Sequence, residues 1–173
     1  NLGLIYSTRG DLDEAEAMHK RSLAISEDLG SKEGMAAAYG NLGLIYSTRG
    51  DLDEAEAMHK RSLAISEDLG SKEGMAAAYG NLGLIYSTRG DLDEAEAMLK
   101  RSLLLNEELG RKEGMAIQYA NLGAIQDQRG DGQEAKRYWL LSLELFKQVG
   151  ARPNVELVQG WLDELESGGR ANG

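Results

Sequence analysis

The feature that most constrains the fold is an internal repeat of 40 residues. Residues 1–40 recur letter for letter as residues 41–80, and a third copy from Asn81 matches until Leu99 replaces the histidine of the earlier copies. The fourth copy, from Asn121, keeps the spacing but changes many side chains. Such a period is typical of stacked supersecondary units that pack on their neighbours. We therefore expect one repeat array rather than a domain around a single core.

One repeat predicts a hairpin of two helices. Glycines recur at its junctions, and a glycine just past a helix end takes the left-handed conformation at little cost. Ser31 is expected to cap a first helix from about Lys32 to Arg49. Asp51, with Glu54 three residues later, resembles a capping box for a second helix that ends near Leu69. The short link makes the two helices antiparallel neighbours.

The apolar residues follow helical spacing. The first helix carries one stripe, made of Met35, Tyr39, Leu42 and Tyr46. The second helix carries a broader face, made of Leu52, Ala55, Met58, His59, Leu63 and Leu69. Gly43 and Ala55 are small where the helices should cross, so the two backbones are expected to approach closely. Ser22 and Ser62 take another small position between the helices and are expected to pack there.

The residues Asn41-Leu42-Gly43-x-x-Tyr46-x-x-x-Gly50-Asp51-x-x-x-Ala55 resemble the tetratricopeptide repeat signature. The resemblance covers nearly the whole chain and implies an all-α fold, a right-handed α-solenoid of antiparallel helical hairpins. Two features depart from the common pattern: Glu67 replaces the usual proline, and the repeat is longer than 34 residues. The longer form resembles the repeats of kinesin light chains and of the polarity adaptors that bridge G-protein subunits to spindle factors.

The expected domain organisation is a single array over residues 1–166. Its units start at Asn1, Asn41, Asn81 and Asn121. A polar capping helix is expected at about residues 152–166, and residues 167–173 are expected to form a flexible tail. Asn1 falls inside a first helix, so residues 1–9 are expected to expose an uncapped apolar edge that favours self-association.

The best candidate site is a ladder of asparagines. The resemblance implies that first helices line a concave groove, and an asparagine there can grip a peptide backbone with both a donor and an acceptor. The alternative is that these asparagines only set the spacing between helices. The candidate groove residues are Asn41, Leu44, Ser47, Thr48, Asn81, Leu84, Ser87, Thr88, Asn121 and Ala124, with Trp161 as a possible aromatic anchor. Trp161 stands at the ladder position of the last copy, whereas Trp139 is expected in the core.

This groove is expected to be almost uncharged. Families that hold acidic or carboxylate-ended peptides place Lys or Arg near the positions of Ala37, Gly40 and Leu44, and this chain has neither there. A basic clamp is therefore not expected. Recognition would rest on backbone hydrogen bonds and small apolar pockets.

Two other motifs are better explained by structure than by chemistry. Arg-Gly-Asp occurs at Arg9, Arg49, Arg89 and Arg129, where a helix end, a glycine cap and a helix start follow one another. Glu-x-x-His, a pattern of di-iron bundles, ends at His19 and His59. Because Leu99 takes the same position, we expect both histidines at the edge of the core, neutral at pH 7 if buried.

Charge and composition exclude several classes. The net charge of −10 argues against nucleic acid and anionic membranes, which require basic patches. The acidic run at the start of each second helix is expected to be a solvated face that compensates the helix dipole. The chain has no cysteine, and it shows no membrane-spanning run or signal peptide, so a cytoplasmic location is expected.

The sequence therefore predicts a protein-interaction scaffold that holds an extended peptide, with no cofactor, no metal and no catalytic constellation. The alternative is a structural rod that assembles end to end, either natural or designed. The near identity of the copies favours this alternative somewhat, because a groove that reads sequence gains from unlike repeats.

Overall fold

The computed structural model describes residues 11–168, and within this range it contains eight α-helices and no strand. The helices are α1 (Leu12–Asp28), α2 (Lys32–Arg49), α3 (Leu52–Asp68), α4 (Lys72–Arg89), α5 (Leu92–Glu108), α6 (Lys112–Gln128), α7 (Gly132–Val149) and α8 (Arg152–Glu166). Links of two or three residues join them. Neighbouring helices pack on one another in the pairs α1–α2, α2–α3, α5–α6, α6–α7 and α7–α8. The all-α class of antiparallel hairpins is confirmed.

The helix ends follow the glycine pattern. Gly50 has φ of 86° and closes α2, where the amide of Asp51 donates to the carbonyl of Tyr46 at 2.9 Å. This pairing satisfies a carbonyl that the helix end would otherwise leave open. At the helix start the predicted cap is also present, because the Ser31 hydroxyl accepts a hydrogen bond from the amide of Gly34 at 3.1 Å.

The capping box predicted at Asp51 is wrong. The Asp51 side chain accepts no hydrogen bond from the first turn of α3, and Asp11 and Asp91 behave in the same way. The aspartate at the same position of the fourth copy does cap its helix, since Asp131 accepts from the amide of Glu134 at 3.0 Å. The other three aspartates lie beside helix starts and compensate the dipole without this bond.

The chain divides into two units at Ile85 and Tyr86, within α4. In the first unit, the predicted stripe of α2 points inward, with Tyr39 and Leu42 buried and Met35 and Tyr46 half-buried. Ala55 of α3 is fully buried, as the close helix crossing predicts. Ile45, which the predicted stripe did not include, is also buried.

The second unit has two apolar clusters. One surrounds Leu99 and Leu122, where α5, α6 and α7 contribute buried residues. The other surrounds Trp139 and Phe146 and is completed by Val158 and Leu162 of α8. The exposed side of α8 carries Asp163, Glu164 and Glu166. Residues 169–173, most of the predicted tail, lie outside the described residues, as do residues 1–10 with the predicted N-terminal edge.

Candidate functional site

A cavity of about 530 Å³ opens in the first unit, between helices α2, α3 and α4. Its volume is within the range of small-molecule pockets. Its lining consists mainly of short side chains, asparagine amides and two leucines. These residues are Glu33, Ala36, Ala37, Gly40, Asn41, Leu44, Ser62, Ser66, Leu69, Ser71, Gly74, Ala77 and Asn81.

Short side chains open this cavity because they leave space beside the helix backbones. Gly40 faces Ser62, and a Cβ at Gly40 would lie 3.6 Å from the Ser62 hydroxyl oxygen. That hydroxyl donates to the carbonyl of Ala36 at 2.9 Å, so α3 is tied to α2 at the floor of the cavity. Ser142 makes the same bond to Ala116 in the second unit at 2.8 Å. The packing role predicted for Ser62 is confirmed.

The cavity brings together part of the predicted groove. Asn41, Leu44 and Asn81 line it, with both asparagines half-buried and Leu44 46% exposed. Ser47 and Thr48 lie further along α2 and are not among its lining residues. The Thr48 hydroxyl donates to the carbonyl of Leu44 at 2.8 Å, a local bond within the helix.

The remaining predicted groove residues lie outside this cavity. Leu84, which is 45% exposed, and the helical residues Ser87 and Thr88 follow Asn81 on α4. Asn121 and Ala124 are half-buried on α6 in the second unit. The ladder of three asparagines as one binding surface therefore stays a prediction.

Trp161 packs on the core of the second unit. Its ring centroid lies 5.6 Å from that of Trp139, and it is half-buried beside the cluster around Phe146. Trp139 is fully buried, which confirms its predicted place in the core. Much of the Trp161 side chain is thus already used by the fold, and only its exposed part remains for a ligand.

The second helix α3 also contributes to the cavity, although the sequence pattern placed only first helices there. Ser66 and Leu69 belong to α3 and its end, yet they line the same space as Asn41. The prediction assigned Leu69 to the core face, but it is half-buried and borders the opening. The turn before α4, where Ser71 accepts from Gly74 at 3.1 Å, carries the backbone around this side of the cavity.

One charged side chain borders the cavity. Glu33 lies on its rim and is exposed. The neighbouring Lys32 points elsewhere and forms an ion pair with Asp68 of α3. The described lining therefore contains one carboxylate and no basic side chain, so its electrostatic field favours neutral or positive ligands.

The two histidines lie in the core rather than at its edge. His19 is 3% exposed and His59 is 1% exposed. Burial lowers the pKa of His59 to about 4 and also lowers the pKa of His19. Both ring nitrogens of His59 lack a hydrogen-bond partner in the described structure. Within residues 11–168, no group of three or more His, Asp or Glu side chains is arranged to hold a metal ion.

The arginines of the Arg-Gly-Asp tripeptides are held by the preceding second helix. Arg49 forms ion pairs with Asp13 and Glu16 of α1. Hydrogen bonds from Lys20, Arg49 and the Tyr46 hydroxyl lower the pKa of Glu16 to about 2. In the second unit Arg129 pairs with the equivalent Asp93 and Glu96. Arg49 and Arg129 thus tie the end of one helix to the helix before it, a contact that the sequence pattern did not predict.

The family is shown by a sequence model that covers most of the chain. The model described as "Tetratricopeptide repeat" matches residues 1–68 and 74–154. The chain therefore belongs to the tetratricopeptide repeat family, whose members generally act as protein-interaction scaffolds rather than as enzymes. The comparison with curated proteins gives no match.

Solved structures with similar folds include proteins related to kinesin light chains. BtubC (BKLC) from P. vanneervenii is 25% identical with a TM-score of 0.77, and the match covers 86% of this chain and 62% of that one. This chain thus spans less than two thirds of BtubC. A kinesin light chain-like protein of Podosopora anserina with nearly identical TPR-like repeats is 18% identical with a TM-score of 0.71, covering 96% and 87% of the two chains. The resemblance to kinesin light chain repeats is confirmed.

No helix in the described part of the chain is both long and apolar enough to cross a membrane.

Proposed function

We propose that this protein is a scaffold whose first unit binds an extended peptide segment of a partner protein in the cavity between α2, α3 and α4. The observation that supports this most directly is that Asn41 and Asn81, one repeat apart, line a single cavity. A side-chain amide has two donors and an acceptor with two lone pairs, which match the alternating groups of a peptide backbone. Two such amides at equivalent positions suit a segment that runs from one repeat to the next.

The rest of the lining sets the side chains that such a peptide can carry. Ala37, Gly40 and Ala77 leave room for a peptide backbone to lie close to the helices. Leu44 and Leu69 offer apolar contact at the borders of the cavity. A ligand with small or medium apolar side chains would bury this apolar surface. Each Å² buried contributes a favourable free energy of roughly 25 cal/mol before the costs of binding are subtracted.

Charge selects against acidic peptides. Glu33 is the charged side chain of the lining, and the chain as a whole carries −10. An acidic segment would be repelled, whereas a neutral segment, or one with a Lys or Arg near Glu33, would not. The proposed ligand class is therefore a neutral to basic extended segment.

A peptide selection on the intact chain tests the proposal. Random peptides displayed on phage are selected, and the dissociation constants of the best are measured by fluorescence anisotropy. Replacing both Asn41 and Asn81 by Ala should weaken binding by about tenfold or more, because two sets of backbone hydrogen bonds are lost. Adding Asn121→Ala then tests whether the third asparagine belongs to the same surface.

A cavity-filling pair provides the matched control. Ala37 lines the cavity and is exposed, so Ala37→Trp should fill the space and abolish binding while the helical content stays unchanged. Ala57 is exposed on α3 away from the cavity, so Ala57→Trp should leave binding unchanged. Equal effects of the two tryptophans, or full binding by the double asparagine variant, would place the ligand elsewhere.

A further inference from the structure

The second unit repeats the positions that form the cavity of the first unit, two copies later along the chain, on α6, α7 and α8. At these positions larger apolar side chains replace small and polar ones. Ile117 stands in place of Ala37, Leu157 in place of Ala77 and Trp161 in place of Asn81. Equivalent positions in the two units therefore offer a ligand different chemistry.

The inner part of these positions belongs to the core of the second unit. Phe146, in place of Ser66, is 2% exposed. Trp139 of α7 donates from its indole Nε1 to the carbonyl of Ala120 on α6, and its ring centroid lies 5.6 Å from that of Trp161 on α8. The sides of α6 and α8 that carry Ala120 and Trp161 therefore flank one buried tryptophan.

The outer part is an exposed apolar surface on these same sides of α6 and α8. Ile117 lies one helical turn before Ala120, and Leu157 lies one helical turn before Trp161. Ile117 is 39% exposed and Leu157 is 52% exposed, while Trp161 is half-buried. We call Ile117, Leu157 and the exposed part of Trp161 the apolar surface of the second unit.

The fold itself does not require large apolar residues at the exposed positions. The equivalent Ala37 and Ala77 are also exposed, although helices precede and follow them along the chain. Exposure is thus a property of this position of the repeat, and alanine meets its structural needs. The isoleucine and leucine of the second unit add apolar surface in contact with water, and grouped exposed apolar side chains are typical of interaction sites.

The charged side chains around the apolar surface are acidic. We compared the second unit with the lining of the first cavity and with the predicted groove residues of α2 and α4. The charged residues at the equivalent described positions are Glu113, Asp127 and Glu164. None of these positions carries Lys or Arg.

The basic side chains that are closest along the chain lie at other positions of the repeat. Arg111, Lys112 and Arg152 stand two copies after residues that do not line the first cavity. Arg152 borders a different cavity, together with Lys147 and Glu156. A ligand at the apolar surface would thus meet carboxylates, and basic side chains suit it better than acidic ones.

We propose that the apolar surface of the second unit docks a partner segment with a large aromatic or aliphatic side chain flanked by lysine or arginine. The large side chain lies against Ile117, Leu157 and Trp161, where its burial removes apolar surface of both partners from water. The flanking cations face the carboxylates around that surface. This ligand class differs from the one proposed for the first cavity, and the two proposals are tested separately.

Binding of short synthetic peptides to the intact chain tests the proposal. Each peptide carries phenylalanine, leucine or alanine at its centre, with lysines or glutamates on both sides in a Gly-Ser background, and a dye for fluorescence anisotropy. The Phe and Leu peptides with lysines should bind, and alanine at the centre should weaken binding by about tenfold. Glutamates should weaken binding at low salt, with a smaller difference at high salt.

Giving the second unit the residues of the first unit removes the apolar surface while keeping the fold. Ile117→Ala and Leu157→Ala introduce the residue type of Ala37 and Ala77, so the helical content should stay unchanged. The double variant should weaken binding of the Phe peptide by about tenfold or more. Leu104→Ala is the matched control, because Leu104 is 55% exposed on α5 and also replaces an alanine of an earlier copy. It should leave binding unchanged.

Equal binding of the Phe and Ala peptides, no binding by any of the peptides, or an equal loss in the Leu104→Ala variant would overturn the proposal. Sedimentation equilibrium tests for another occupant. A mass that rises with concentration, and that returns to one chain in the double alanine variant, would overturn the proposal in favour of a second copy on this surface. The variant with Asn41→Ala and Asn81→Ala should bind the Phe peptide like the unchanged chain, and a loss there would place this peptide in the first cavity instead.

Discussion

His59 in the first unit and Trp139 in the second unit occupy the same position of two repeat copies, and they fill it in physically different ways. Each ring lies against a glycine of the preceding helix, since a Cβ at Gly43 would meet His59 at 2.6 Å and a Cβ at Gly123 would meet Trp139 at 2.4 Å. The indole Nε1 donates to the carbonyl of Ala120 at 3.1 Å. Neither nitrogen of His59 has such a partner among the described residues.

In each copy the glycine leaves a narrow space beside the first helix, a slot that a flat or apolar side chain fills. The identity of that side chain determines how its burial changes the free energy of unfolding. An apolar leucine fills it in the third copy, where Leu99 is fully buried. The tryptophan buries more surface and satisfies its one polar group. The histidine buries two polar nitrogens without compensation, which costs roughly 1–3 kcal/mol per unsatisfied group.

Removing the buried indole should have the greatest effect on stability. Trp139→Ala should lower the free energy of unfolding by about 3–5 kcal/mol, because it removes a fully buried indole and leaves a cavity. His59→Ala should cost clearly less, since the lost apolar contact is offset by removal of two unpartnered nitrogens. Urea unfolding followed by circular dichroism measures both. Trp161→Ala, at a half-buried ring, is the control, and equal losses for Trp139→Ala and His59→Ala would contradict the comparison.

The buried His59 should also make the free energy of unfolding depend on pH, whereas the buried Trp139 should not. Burial lowers the pKa of His59 to about 4 from an ordinary value of 6.5, so between these values the unfolded chain binds the proton and the folded chain does not. The stability is therefore fully present above pH 6.5 and is lost as pH falls toward 4, by up to about 3 kcal/mol.

His59→Leu isolates this contribution, because Leu99 shows that the slot accepts leucine. The difference in unfolding free energy between His59→Leu and the unchanged chain should widen steadily as the pH is lowered from 7 to 4. Carboxylates titrate in both proteins and cancel in the difference. A difference that does not change with pH would mean that the His59 imidazole contacts water or a polar partner in the folded chain and can be protonated there.

The sequence predicted a close helix crossing at Gly43, but neither the contact between Gly43 and His59 nor the full burial of His59. The recurring glycines gave the bounds of α2, and helical spacing put Tyr39, Leu42 and Ala55 in the core, because these signals are local. The exposure of His59 depends on how its hairpin packs against neighbouring helices, and spacing alone suggested the core edge. Ser66 and Leu69 were missed as cavity residues for the same reason, since their helix contributes to the opening only after the next repeat packs on it.

A smaller change tests the closeness of the helix crossing. Gly43→Ala should destabilise the chain by about 1–2 kcal/mol, because overpacking against His59 outweighs the better helix propensity of alanine. Combining it with His59→Ala should recover most of this loss. Gly160→Ala on α8 is the matched control, as a Cβ there meets nothing within 4 Å and should raise stability by about 1 kcal/mol. Thermal unfolding gives all three values, and a loss at Gly160 as large as at Gly43 would rule out crowding as the cause.

The two helix starts of one hairpin should differ slightly in how much their first residues contribute to stability. Ser31→Ala should cost about 1 kcal/mol, because its hydroxyl accepts the amide hydrogen bond of Gly34. Asp51→Ala should cost only a few tenths of that, since its carboxylate makes no cap bond and acts on α3 through the helix dipole alone. Asp131→Ala is the control for residue type, because this aspartate does accept a cap bond and should behave like Ser31. Urea midpoints at low and high salt distinguish the two mechanisms: the loss at Asp51 should shrink with salt, whereas the loss at Ser31 should not. A salt-independent loss at Asp51 equal to that at Ser31 would restore the capping box that the sequence pattern predicted.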